Sequence, residues 1–190
     1  MRHLGPAHWL YAAALALLTL AVAPPARAEL RITDLEVFLN DHEVTVRVAL
    51  LGAVPAAFNE GLQSGLATHV RYTVELWQYN RLWWDQLVTT RIVERHLAYH
   101  VVTKEYKVTS VNGETRPPYT TRELRDAQRI LSEVRLKLTP AVNLDPAEVF
   151  YVHVHAESAL GGENTFLTRL AGTAEQVARR SEYRAIMRVQ

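Results

Sequence analysis

Apolar and polar residues alternate with period two along much of the chain, the pattern of strands with one buried face. Leu35, Val37 and Leu39 alternate with Glu36 and Phe38, Asn40-Asp41 makes a turn, and Val44, Val46, Val48 and Leu50 alternate with Glu43, Thr45 and Arg47. That predicts a hairpin. After Pro55 a short helical or irregular stretch, Ala56 to Gly65, ends in a glycine suited to a helix C-terminus. The next strand, Thr68 to Asn80, sets Val70, Tyr72, Val74 and Leu76 against His69, Arg71, Thr73 and Glu75.

Beyond Asn80-Arg81 the pattern predicts a return through Leu82 to Arg95 and another through Leu97 to Val111, with Asn112-Gly113 as a two-residue hairpin turn. Pro117-Pro118 is expected to stop the sheet. Thr120 and Glu123 then form a capping box, with Tyr119 and Leu124 as its hydrophobic staple. Leu124, Ala127, Leu131 and Val134 share one face of a helix over residues 121–134. A strand follows at Val149 to Glu157, then a Gly161-Gly162 loop. Phe166 to Arg180 has no single period, and a last strand puts Tyr183, Ala185, Met187 and Val189 on one face. Short strands punctuated by Gly, Pro and Asn predict a mainly β fold, an antiparallel β-sandwich or open barrel of about six to eight strands with one or two short helices.

The first 28 residues do not belong to that fold. Arg2, an apolar run from Trp9 to Ala23, the break at Pro24-Pro25 and the small residues Ala26 and Ala28 around Arg27 read as a signal peptide cleaved before Glu29. The run is shorter than the roughly 20 residues that cross a bilayer. A β-rich domain over residues 29–190 is then expected in the periplasm, with no membrane span after signal cleavage.

Composition narrows the chemistry. The chain has 190 residues and no cysteine, which excludes disulfides, thiolate metal sites and a cysteine nucleophile. Lys and Arg total 21 against 20 Asp and Glu. A balance so near neutral cannot steer a polyanion, so no nucleic-acid partner is expected.

His153-x-His155 is the sharpest local pattern. On a strand both imidazoles face one side, roughly 7 Å apart, a spacing at which they could share a metal with a third ligand. Tyr151 shares that side, and the bland alternative is the wetted face of an amphipathic strand. His96 and His100 are four apart, but the glutamate of H-E-x-x-H is missing. On a strand those two would lie about 13 Å apart, too far for one ion. Ser64 lacks the context of a nucleophile elbow, and Gly161-Gly162 has no phosphate-loop continuation. Arg122, Arg125 and Arg129 line one side of the predicted helix, interrupted by Asp126 and Glu133, as on a solvated face.

Trp77, Tyr79, Trp83 and Trp84 surround the turn at Asn80-Arg81 and form the candidate binding set, since Trp and Tyr dominate interface hot spots. Because Trp83 and Trp84 would point to opposite faces of a strand, at most one of them is expected to be exposed.

Several of these segments together resemble a known family. They are Phe58-Asn59-Glu60-Gly61-Leu62-Gln63-Ser64-Gly65, the strand Tyr72 to Tyr79, the Trp83-Trp84-Asp85 turn, and Tyr99 to Val108 leading into the Glu123 to Leu131 helix. With the leader, the chain resembles a family of exported proteobacterial β-rich proteins, one of the domains of unknown function. The resemblance implies a Gram-negative periplasm and a gene neighbourhood with a membrane sensor kinase, and it brings no catalytic residues. The leading expectation is a non-enzymatic interaction or ligand-binding module, linked to envelope signalling, that acts without a cofactor on a protein or small ligand of the cell envelope. The alternative is a metal-dependent or hydrolytic enzyme in which His153 and His155 converge with His100, His69 or Glu157.

Overall fold

The computed structural model describes residues 29–39, 42–162, 164–182 and 184–185. The expected leader, the Asn40-Asp41 turn, and Tyr183, Met187 and Val189 of the expected last strand lie outside these residues.

The fold is mainly β. Two antiparallel sheets share one hydrophobic core, and neither closes into a barrel. The smaller contains β1 (Arg31–Leu39), β2 (Glu43–Leu51) and β7 (Glu133–Pro140), in the order β1-β2-β7. The larger contains β3 (Thr68–Gln78), β4 (Gln86–His100), β5 (Glu105–Asn112), β6 (Tyr119–Thr121), β8 (Val149–Leu160), β9 (Ala174–Arg180) and β10 (Arg184–Ala185). Its order is β10-β8-β3-β4-β5-β6, with β9 pairing β8. Among the described residues the α-helices are α1 (Asn59–Gln63), α2 (Leu124–Ser132) and α3 (Phe166–Leu170).

Strand alternation decides what is buried. Val44, Val46 and Val48 of β2 meet Val70, Tyr72, Val74 and Leu76 of β3 and Val152, Val154 and Ala156 of β8 in the core. The other side of β3 and β8 carries histidine, carboxylate and aromatic residues, so the large sheet has one dry and one polar face.

Four local expectations are corrected. The break expected near His96 is absent, and β4 continues for 15 residues to a turn at residues 101–104. Within it Arg95 points inward and is 1% exposed. Asn112-Gly113 is not a two-residue hairpin, because β6 pairs with β5 only from Tyr119 onward, after Pro117-Pro118. Gly113 is still required: its φ is +80°, and a Cβ would lie 1.8 Å from the Ile92 carbonyl oxygen.

Thr120 is not a helix cap. It pairs with Lys107 in β6, while Glu123 occupies the N-cap position of α2 without a side-chain cap bond. A reciprocal capping box occurs instead at Thr165 and Thr168 of α3. Finally, α2 runs directly into β7, whose Val134 and Leu138 are buried against β2. The expected helix had absorbed the start of that strand.

Arg95 explains how the helix can end so abruptly. The last carbonyls of a helix have no partner within it. Here Arg95 Nη1 donates to Ile130 O at 2.5 Å and Glu133 O at 2.6 Å, and Tyr72 Oη donates to Leu131 O at 2.8 Å. Arg95 Nε donates to Glu114 Oε1 and Nη2 to Glu114 Oε2, the latter at 2.8 Å. The guanidinium therefore binds the helix end and a carboxylate at once. Burial pushes the Tyr72 hydroxyl strongly upward in pKa.

Candidate functional site

The polar face of the large sheet is built by register. β3 pairs with β8 so that Trp77 faces Tyr151, Glu75 faces His153, Thr73 faces His155 and Arg71 faces Glu157. On its other edge β3 pairs with β4, setting His69 beside His96 and Arg71 beside Glu94.

At one end lies an aromatic loop, residues 79–85. Trp77 stacks on Tyr151 with ring centroids 6.5 Å apart and planes 8° from parallel, and its Nε1 donates to Glu75 Oε2 at 2.9 Å. The Arg180 guanidinium lies 5.1 Å from the Tyr151 ring centre, a cation-π distance. Tyr151 Oη donates to Asp85 Oδ2 at 2.8 Å, and Asp85 Oδ1 accepts from the Asn80 amide at 3.0 Å. Those two bonds, the Asn80 amide first, hold the Asp85 carboxyl below the usual carboxylate range. Asn80 Oδ1 in turn accepts from the amides of Leu82 and Trp83 at 3.0 and 3.2 Å.

The loop is thus pinned at its base and bare at its tip. Leu82 is 84% exposed, Trp83 77% and Trp84 89%. The expectation that at most one of the two tryptophans would be exposed is corrected: β4 begins at Gln86, so strand alternation does not govern them. Tyr79 is partly exposed and donates its amide to Val149 O at 2.8 Å. Of the four candidate aromatics, Trp77 is part of the sheet face, while Trp83 and Trp84 form the protruding pair.

In the middle of the face stand His153 and His155, on the wetted side of β8 as the alternation requires. His153 Nδ1 is 3.4 Å from Glu75 Oε2, and His155 Nε2 is 3.6 Å from Glu157 Oε1. Each imidazole has its own carboxylate. His100 ends β4, where its Nδ1 accepts the Thr103 amide at 3.2 Å.

The opposite end holds a cluster that the sequence reading did not assemble. His69 and His96 pack with ring centroids 3.6 Å apart, and Glu94 shares their side of β4. The ligand atoms of His69, Glu94 and His96 all lie within 4.8 Å of one another. Burial, reinforced by His96, lowers the His69 pKa against the opposing pull of Glu94. The missing signal was the pairing register: with β4 broken near His96, the two histidines could not be seen as neighbours.

The remaining candidates are local. Ser64 Oγ donates to Gly61 O at 2.7 Å at the end of α1. Arg122 and Arg129 lie 3.7 Å from Glu105 and Asp126, in keeping with a solvated helix face. A groove of about 740 Å³ between the small sheet and α2 contains Arg47, Arg116, Arg129 and Arg135. Its charge is mixed, since Arg47 is 3.6 Å from Glu36 and 3.9 Å from Glu133.

The sequence pattern of the domain of unknown function DUF4390 matches residues 27–161, most of the chain. The chain belongs to the DUF4390 family. No curated protein and no solved structure matches it. The DUF4390 match spans the aromatic loop, both histidine pairs and Glu94, and it ends at Gly161, before α3 and β9. Among the described residues of this DUF4390 protein, no helix is long and apolar enough to cross a membrane.

Proposed function

We propose that this DUF4390 protein is a non-enzymatic interaction module of the periplasm, exported by a leader that is removed before Glu29, and that its aromatic loop docks into an apolar pocket on an envelope protein. The pinned loop with Leu82, Trp83 and Trp84 bare at its tip carries this reading. Ordering a loop before binding reduces the entropy lost on association, and tryptophans placed this way supply a large share of interface energy. The alternation of Arg2, apolar run, Pro24-Pro25 and Ala26-Arg27-Ala28 supports export. The family resemblance adds envelope signalling as the setting. An enzyme centred on His153 and His155 has less support, because among the described residues neither is gathered with two further metal-ligating groups.

A photo-crosslinking phenylalanine analogue at position 83, introduced in the producing cell, should give one discrete adduct with a protein. Binding of that protein should weaken by about 30-fold or more in Trp83→Ala or Trp84→Ala, the scale of an interface hot spot, with thermal midpoints unchanged. Unchanged affinity in both variants, or binding of the tryptophans to plain lipid vesicles in place of the protein, overturns the docking assignment. A protein recovered from the envelope with Met1 retained overturns the export assignment.

A further inference from the structure

The polar side chains at the aromatic end of the sheet are bonded to one another, whereas at the other end one shielded ring nitrogen is left over. His96 Nε2 is buried and has no hydrogen-bond partner. The nearest carboxylate oxygen, Glu94 Oε1, is 3.8 Å away, beyond hydrogen-bond reach. A neutral imidazole carries one N–H and one lone pair, and a buried nitrogen that uses neither is costly to the fold. His69 packs against His96 with ring centroids 3.6 Å apart and planes tilted 51°, and it gives Nε2 no hydrogen bond.

We infer that His69, His96 and Glu94 form a binding site for one zinc-class divalent transition-metal ion. Two imidazoles and one carboxylate are a zinc donor set that leaves a fourth position open. Their ligand atoms already lie within 4.8 Å of one another, whereas atoms around a tetrahedral zinc with bonds of about 2.0–2.2 Å sit roughly 3.3–3.6 Å apart. Binding an ion would draw the three side chains toward a common centre by that difference. The ion would occupy the space that separates His96 Nε2 from Glu94 and would take the lone pair that nothing else in the fold accepts.

The surroundings suit a site with an open position. His69 and Glu94 line a cavity of about 230 Å³ together with Arg71, Glu157, Gly162 and Asn164. Gly162 roofs the His69 ring: its φ is +105°, and a Cβ there would lie 3.2 Å from His69 Cε1 and 3.3 Å from Nε2. Gly161 fixes that roof by donating its amide to Ala67 O at 2.8 Å. The Gly161-Gly162 pair therefore does more than connect strands, because it lets backbone approach the imidazole where a side chain would press on it.

The test uses protein purified without an affinity tag, stripped with chelator and titrated with zinc chloride. Calorimetry should give about one ion per chain, and free zinc at about 100 times Kd should raise the thermal midpoint by about 5–10 °C. His69→Gln, His96→Gln and Glu94→Gln should each weaken binding by about 100-fold or more, since loss of even an outer partner of a metal ligand costs 10–100-fold. His153→Thr with His155→Thr should bind like the wild type. Cobalt(II) on the wild type should show the intense visible bands of a tetrahedral ion, absent in Glu94→Gln, whose far-ultraviolet spectrum should match the wild type. No saturable zinc binding by the stripped wild type overturns the site. So does binding that survives all three single variants or disappears in the His153/His155 variant.

Discussion

Arg95 and His96 are neighbours on one strand and face opposite sides of the large sheet, and the two sides treat a buried polar atom differently. On the inner side the Arg95 guanidinium has bonds to Glu114, Ile130 O and Glu133 O. On the outer side His96 Nε2 has none. A polar group whose every atom is bonded within the fold is serving the architecture, here by ending α2 and anchoring it to β4. One that is shielded from water yet unpartnered costs stability, and a bound ion or water is one way to recover that cost. Thr68 Oγ1, buried on the inner side of β3, also has no hydrogen-bond partner, so what sets His96 apart is the second imidazole and the carboxylate gathered beside it.

The contrast breaks most visibly if Glu114 is removed. Glu114→Ala leaves the Arg95 charge buried without a counterion, which should cost about 3–5 kcal/mol in urea unfolding. Arg95→Met combined with Glu114→Leu should cost much less, because no uncompensated charge remains. A loss under about 1 kcal/mol for Glu114→Ala would show that the inner network is not the anchor described above. Acid supplies a second reading of the same group. Burial alone would raise the Glu114 pKa, but the hydrogen bonds from Arg95 and Ser110 and the charges of Arg95 and Arg116 outweigh it and hold it low. A folded pKa below the unfolded one means the stabilisation is fully present above the ordinary glutamate value of about 4.3 and fades as pH falls through the folded value. The wild type should lose that increment in acid, and Glu114→Gln should not.

At His96 the sign should reverse. The His96 ring is partly exposed, but its Nε2 is shielded and unbonded, so an apolar side chain removes that nitrogen's desolvation cost without breaking a bond to it. His96→Leu measured in chelator should therefore gain about 1 kcal/mol, while losing the zinc-dependent rise in thermal midpoint. A loss of more than about 1 kcal/mol in chelator would mean that His96 serves the fold as Arg95 does, and the contrast between the two faces would fail.

The strand alternation made the two-sided sheet legible: Val70, Tyr72, Val74 and Leu76 were readable as core, and His153 and His155 as its wetted reverse. The inner network was hidden because the expected strands ended at Arg95 and resumed at Leu97, which left the inward register of a charged residue unread. Once β4 was split there, the register that sets His69 beside His96 was lost as well. β7 was hidden by continuity, since Leu131 and Val134 satisfy helical spacing and the helix gives way to strand without glycine or proline between them. The exposed tryptophan pair was visible in the sequence as a set, but its exposure depended on where β4 begins, and nothing in the alternation marks Gln86.

The smallest effect concerns His153 and His155, the control that sharpens the contrast. They stand on the same outer face as His96, yet their imidazoles reach Glu75 and Glu157 at 3.4 and 3.6 Å, in contacts open to water. Surface pairs of this kind contribute little, because solvent screens them and long side chains lose freedom to form them. Threonine keeps β propensity and removes only a solvated ring, so His153→Thr and His155→Thr should each change stability by no more than about 0.5 kcal/mol. Zinc should stabilise the double variant as much as the wild type. If its stability fell by several kcal/mol, or if chelator destabilised the wild type but left this variant untouched, the metal would belong to the His-x-His strand, and the pairing of His69 with His96 would be packing alone.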